Sequence, residues 1–314
     1  MKIGIDMMGG DFAPLEAVKG IKPFLSASES ETVLVCIGDE ARLKPLLAEY
    51  GLTLPNITTV HTTQVIDMHE HPTRALKEKI DSSIAVGFKM LATGEIDAFI
   101  SAGNTGAMLV GALYSIKAIK GILRPTISSV VPKLNGGTGV LLDVGLNADC
   151  KPENLNQFAI LGSLYASNIL GIDNPRVALL NVGSEEGKGN VLAQASYTLL
   201  KENTKINFIG NIEGRDILMD KADVLVCEGF VGNVILKMAE SLYDIAIERQ
   251  IQHDAFFSKF NYEAVGGTSV LGVSKPVIIG HGISNDTAFG NMILLAEKML
   301  HCQLCKAIEE SFRS

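Results

Sequence analysis

Short runs of Val, Ile and Leu alternate along the chain with longer segments in which apolar residues recur every three or four positions. Uninterrupted apolar runs suit strands covered on both faces, and the longer periodicity suits amphipathic helices. The pattern predicts strands at 2–6, 32–37, 98–101, 128–132, 139–143, 176–181, 207–210, 224–227 and 276–280. Helical periodicity spans 14–26, 40–50, 74–92, 105–118, 153–170, 190–202, 233–252 and 285–311, with Pro14 and Pro72 marking helix starts. Strands alternating with helices predict parallel βα units. With no repeat, low-complexity segment or linker in its 314 residues, the chain reads as a single continuous sheet.

Composition narrows the classes. Hydrophobic residues make up 47% and charged residues 20%, which excludes an intrinsically disordered chain. A net charge of −8 argues against general attraction to nucleic acid or anionic lipid. The absence of Trp weakens the case for stacking of single strands further. Five cysteines without framework spacing read as reduced thiols of a cytosolic protein. The N-terminus reads as a first strand rather than a signal peptide, and uncharged stretches such as 158–172 fall short of a membrane span of roughly 20 residues.

Glycines cluster where the predicted strands end, which is where ligands sit in open α/β sheets. The segment Ser101-Ala102-Gly103-Asn104-Thr105-Gly106 runs from a strand through a small-residue turn into a helix. Its glycines let backbone approach an anion, while Ser101, Asn104 and Thr105 add donors; the plainer reading is a capped turn. Asn181-Val182-Gly183-Ser184-Glu185-Glu186-Gly187-Lys188-Gly189-Asn190 also links strand to helix. It is not a Walker motif, because three residues separate Gly183 from Gly187 and Gly189 stands where Ser or Thr would bind magnesium. Lys188 could neutralise a phosphate or oxyanion, or be a solvated loop lysine.

A third strand–turn–helix runs from Cys227 through Glu228, Gly229 and Gly232 to Asn233 and Lys237. Asn233 can cap a helix or donate to an oxyanion. His281, between Gly280 and Gly282, is placed for proton transfer, although a lone loop histidine also serves structure. Asp6 and Asp11, and Asp143, Asn147 and Asp149, suit either a metal or turn chemistry. His69-Glu70-His71 and Cys302-Gln303-Leu304-Cys305 lack further ligands and are set aside. No Gly-x-Gly-x-x-Gly fingerprint follows a strand, and no nucleophile elbow is present.

Taken in order, Asp6-Met-Met-Gly-Gly-Asp11, 101–107, 181–190, 227–233 and 280–282 resemble the bacterial phosphate acyltransferases of the PlsX type across essentially the whole chain. The resemblance implies a three-layer α/β/α sandwich, Rossmann-like and similar to isopropylmalate dehydrogenase and phosphotransacetylase, forming one domain over 1–314. It implies conversion of long-chain acyl-[acyl carrier protein] and inorganic phosphate to acyl phosphate and free carrier protein. No metal or organic cofactor is expected.

In this reading the 101–106 turn (Ser101, Gly103, Asn104, Thr105, Gly106) holds phosphate, with Asn147 and Glu185 also assigned to substrate. Lys188 offsets charge, Asn233 or amides near Gly232 face the oxyanion, and His281 is the acid or base. Lys117, Lys120 and Arg124, spaced to share a helix face, are candidates for receiving the acidic carrier protein, with Arg74, Lys77 and Lys79 a second cluster.

The resemblance also implies a cytoplasmic homodimer, peripheral to the membrane's inner face, supplying a membrane glycerol-3-phosphate acyltransferase and binding no nucleic acid. The family's long helical hairpin is represented by a short segment around 238–265, which holds Phe256, Phe257 and Phe260 but no extended apolar-basic helix. Alternative readings are a phosphotransacetylase acting on acyl-CoA, a metal- and nucleotide-dependent decarboxylating dehydrogenase of the same fold, and a non-catalytic scaffold that binds the carrier.

Overall fold

The computed structural model describes residues 1–28, 31–251 and 256–313. In chain order the elements are β1 (Lys2–Asp6), α1 (Leu15–Ala27), β2 (Val33–Gly38), α2 (Glu40–Glu49), β3 (Ile57–His61), α3 (Pro72–Glu78), α4 (Ser83–Thr93), β4 (Ala98–Ser101) and α5 (Thr105–Gly111). There follow β5 (Thr126–Pro132), β6 (Thr138–Leu142), α6 (Pro152–Asn168), β7 (Arg176–Asn181), α7 (Val191–Glu202), β8 (Asn207–Glu213), β9 (Val224–Val226) and α8 (Gly229–Glu248). Finally come α9 (Tyr262–Val265), β10 (Thr268–Leu271), β11 (Val277–Ile279), α10 (Asp286–His301) and α11 (Leu304–Phe312). Strands flanked by helices make this the α/β class that the hydrophobic pattern predicts.

The chain forms two compact units, Met1–Ala118 with Tyr262–Cys305, and Ile119–Asn261 with Lys306–Ser314. In the first, strands lie in the order β3-β2-β1-β4-β11-β10, parallel except for the antiparallel pair β10–β11. From β1 the chain moves outward to β2 and β3, then returns to β4 on the other side of β1. The ends of β1 and β4 therefore flank a topological switch point, where connecting loops diverge and open a crevice.

The core of this unit gathers Ile84, Phe88 and Leu91 of α4 against Phe99 of β4 and Val277 of β11. Phe88 and Phe99 meet edge to face at 5.2 Å. Gly20 of α1 and Gly290 of α10 let those helices cross closely: a Cβ on Gly290 would lie 2.9 Å from that of Pro23.

In the second unit the order is β5-β6-β9-β7-β8, parallel apart from the β5–β6 pair. Here the chain leaves β7 for β8 and returns to β9 on the opposite side of β7, so β7 and β9 flank a second switch point. Leu142, Leu179 and Val224 are buried in the strands, and α6 lies close over this face, where a Cβ on its Gly162 would come within 3 Å of Leu142 and Val224.

Differences from the sequence pattern have local causes. The antiparallel pairs depart from the all-parallel expectation. β3 lies outside the predicted strands because its Ile57-Thr-Thr-Val-His61 sequence is interrupted by polar residues and only partly buried, as suits a sheet edge. The 74–92 helix is two helices, since Lys79 leaves the helical conformation and Ser82 caps α4 through its hydroxyl. The 105–118 helix is α5 followed by a π-helical turn at Ala112–Ile116, and Lys117 stops it with φ of 67°. The 285–311 helix breaks at Gln303, φ 52°, between α10 and α11. The expected hairpin at 238–265 falls partly outside the described residues. Within them α8 ends at Glu248, and Phe256, Phe257 and Phe260 pack as an aromatic cluster.

Candidate active site

In the first unit, the loops after β1, β4 and β11 converge at the carboxyl ends of adjacent strands. Asp6 is fully buried at the end of β1. Its carboxylate accepts the Ser101 hydroxyl at 2.6 Å and the Met8 amide at 3.0 Å, while Ser101 Oγ accepts the Gly103 amide at 2.9 Å. Burial raises the Asp6 pKa, and the bonds from Ser101, Ser83, Met8 and Gly9 act against it. Gly9 is required by proximity, because a Cβ there would sit 2.6 Å from the Gly103 nitrogen. The Asp11 amide donates to the Gly282 carbonyl at 2.7 Å, tying the β1 loop to the β11 loop beside His281. His281 is half-buried.

Asn104 carries the third connection. Its side-chain oxygen caps α5 at Ala107, and its amide donates to the carbonyls of Asp67, Met68 and Glu70. Ser101 and Asn104 thus have their donors committed to holding loops in place. Thr105 is exposed, and Gly106 is partly exposed and sits against Pro72. The turn at 67–70 was not anticipated as part of the site; the only signal for it was an Asn side chain with more donors than a cap uses. Glu70 pairs with Lys79 at 2.6 Å, and His69 and His71 are exposed.

In the second unit, the loops after β6 and β9 interlock. Asp143 is buried and accepts amide bonds from Ile127, Gly145, Leu146 and Asn147, as well as the Asn147 side chain at 2.8 Å. Asp143 and Asp6 are therefore anchors of turns. Among the described residues no group of three or more His, Cys, Asp or Glu side chains could hold a metal.

Asn147 gives its other amide bond to Pro125 O, and its carbonyl accepts the Gly229 amide at 2.7 Å. Glu228 caps α8 through the amides of Phe230 and Val231, so α8 begins four residues earlier than the hydrophobic periodicity indicates. Asn233 accordingly lies within the first turns of α8, its amide donating to Val144 O at 3.2 Å. Gly232 packs so tightly that a Cβ there would sit on the Asp143 carbonyl oxygen.

The 181–190 loop is held from three sides. Asn181 donates to Lys188 O, Gln194 to the carbonyls of Gly187 and Gly189, and Asn211 to Glu185 O. Gly189 needs its freedom, with φ of 94° and Asn181 against it. Lys188 is half-exposed, with the Glu185 carboxylate 3.9 Å away. A cavity of ≈ 340 Å³ lies beside this loop and the start of α8, its lining including Gly189, Asn190, Glu228 and Val231.

No cysteine is primed as a nucleophile. Burial pushes Cys36 and Cys305 up to about 12 and Cys150 up to about 11, and raises Cys227 and Cys302 as well.

Lys117, Lys120 and Arg124 are exposed, but the helix ends at Ile116, so they share no helical face. None forms an ion pair among the described residues, and Arg124 donates to Asp149 O. In the second cluster, by contrast, Arg74 is paired with Glu78 and Lys79 with Glu70.

Two sets of glycine loops lie at the strand ends of an α/β fold, and neither carries a dinucleotide fingerprint. Solved structures with this fold include a phosphotransacetylase from Streptococcus pyogenes, with TM-score 0.67 and 16% identity over 96% of this chain and 94% of that one. A branched-chain phosphotransacylase from Enterococcus faecalis superposes with TM-score 0.63 and 17% identity over 96% of this chain and all of that one. At residues 1–307 the sequence matches the family model described as fatty acid synthesis protein. The chain is 44% identical over 329 aligned positions to the phosphate acyltransferase of Dictyoglomus turgidum, covering 99% of this chain and 97% of that protein. It is also 44% identical to the phosphate acyltransferase of Thermoanaerobacterium thermosaccharolyticum, covering 98% and 96%. The chain belongs to this phosphate acyltransferase family.

Proposed function

We infer that the protein transfers the acyl group of acyl-[acyl carrier protein] to inorganic phosphate, feeding phospholipid synthesis. The observation that carries this reading is the near full-length similarity to phosphate acyltransferases. A phosphate oxygen attacks the thioester carbonyl, a tetrahedral oxyanion forms, and the C–S bond breaks to release the carrier thiol. Burial raises the pKa of each cysteine thiol, so none is activated as a nucleophile, and in this reading phosphate attacks the thioester directly.

The 101–106 turn receives phosphate through the Thr105 hydroxyl and the amides of Thr105 and Gly106, with Ser101, Gly103 and Asn104 holding its shape. Lys188 offsets negative charge, with Glu185 as its loop neighbour. Asn233 and the backbone near Gly232 face the oxyanion, and Asn147 keeps their loop in place. His281 supplies or removes the proton. Electrostatic stabilisation of this kind is worth about 3–4 kcal/mol per donor.

Lys117, Lys120 and Arg124 receive the acidic carrier. The chain acts as one functional domain over 1–314, works as a cytoplasmic homodimer, and hands its product to a membrane glycerol-3-phosphate acyltransferase. The dimer is supported by exposed Phe230, Val234, Met238 and Ile245 on α8, an apolar stripe of the kind that marks association. Among the described residues no helix is long and apolar enough to cross a membrane.

The test is phosphate-dependent release of carrier thiol from palmitoyl-[acyl carrier protein], with acyl phosphate trapped by hydroxylamine. Lys188→Ala is expected to bind carrier yet lose at least about a hundredfold in turnover. Unchanged turnover removes Lys188 from the mechanism. Activity confined to acetyl-CoA favours the phosphotransacetylase reading, and no release beside a working control favours a scaffold.

A further inference from the structure

The cavity of the second unit has a character that the phosphate chemistry leaves unexplained. It lies at the β7/β9 switch point, walled by Leu179 and Leu180 of β7, Leu155 of α6, Leu192 of α7, and Val231 and Ile235 of α8. Three polar side chains also line it, and each is committed elsewhere. Asn181 donates to Lys188 O and accepts from the Val182 amide, Asn190 caps Ala193, and Glu228 caps Phe230 and Val231. The Glu228 carboxylate makes the groove unfit for phosphate. Val182 on its wall is 81% exposed, and Val191, next to lining residues Asn190 and Leu192, is 85% exposed. Cys227 lines the groove as well, with its thiol pushed up by burial, so it offers no acyl acceptor.

Such a lining suits an apolar ligand that asks for no hydrogen bonds. At ≈ 340 Å³ the groove falls within the size range of small-molecule sites. Its lining comes partly from the loops assigned above, since Gly189 follows Lys188 in sequence and Val231 precedes Asn233 by two residues. We propose that this groove is the binding site for the hydrocarbon chain of the acyl donor, and that its walls set the preference for chain length. The proposal rests on the acyltransferase reading and adds where the chain lies. Each methylene that enters removes apolar surface from water, so affinity rises with chain length until the groove is filled.

The experiment compares C16 and C4 acyl-[acyl carrier protein] as donors for the wild-type protein and for Leu192→Trp and Ile235→Trp. Filling the groove is expected to lower the C16-to-C4 ratio of kcat/KM at least about tenfold. A ratio that stays at the wild-type value in folded variants overturns the proposal. So does an unchanged ratio with an altered oligomeric state, which would assign the groove to a second copy of the chain.

Should the tryptophan variants fail to fold, the wild-type protein is photolabelled with a carrier-bound C16 chain bearing a terminal diazirine. Label in the peptides containing Leu192 and Ile235 supports the proposal, and label confined elsewhere overturns it. Absence of acyl phosphate from every donor would instead count against the acyltransferase reading, while the labelling outcome still decides where the chain sits.

Discussion

Single residues in the two sets of loops act mostly by setting backbone. Asp6 holds Ser101, Ser101 holds Gly103, and Asn104 holds the 67–70 turn, so their side chains are occupied before any ligand arrives. Gly232 shows how little room is left. Alanine there would press its methyl into the Asp143 carbonyl, displacing the first turn of α8 and with it Asn233. Gly232→Ala is expected to destabilise by about 1–3 kcal/mol and to cut turnover more than it weakens carrier binding. A denaturant midpoint beside steady-state kinetics checks both. The glycine-rich loops were legible from sequence alone, since glycine spacing marks where backbone must turn or approach. The commitment of Ser101 and Asn104 was not, because their partners lie 95 and 34–37 positions away.

At the scale of elements, a buried ion network ties three strands of the second unit together. Lys133, just after β5 and 4% exposed, contacts Asp223 at 2.5 Å, and Arg176 at the start of β7 reaches Asp223 and Asp220. Burial pushes the Asp223 carboxyl up, but Arg176 and Lys133 outweigh it and hold the group well below the usual carboxylate range. A carboxyl lowered on folding stabilises fully above its unfolded value of about 3.9, and that stabilisation disappears as pH falls through the folded value. Asp223→Asn leaves a buried ammonium poorly paired and is expected to cost about 3–5 kcal/mol at neutral pH. Urea melts across pH should show this variant with a flatter acid limb than the wild type. None of these charges stands out in the sequence, where Lys133, Arg176 and Asp223 look like ordinary flanks of apolar runs.

For the whole molecule, the net charge of −8 opposes an acidic carrier protein, so association depends on local cations. Lys117, Lys120 and Arg124 form no ion pair among the described residues, unlike Arg74 and Lys79. Lys120→Glu is expected to raise KM for acyl-[acyl carrier protein] about three- to tenfold, to leave activity toward small thioesters nearly unchanged, and to weaken the dependence of KM on salt. Kinetics at two ionic strengths check it.

The sequence by itself determined the α/β class, most strand positions and the glycine loops. Strands buried on both faces must be apolar, and turns that admit a ligand must be small, so both leave a mark in local composition. Tertiary structure decided the order of the strands and the two switch points, the early start of α8 at Gly229 behind its Glu228 cap, and the gathering of Leu155, Leu192 and Ile235 into one groove. These depend on which distant segments become neighbours, which local patterning leaves open because apolar residues at any strand end look alike until the chain has packed.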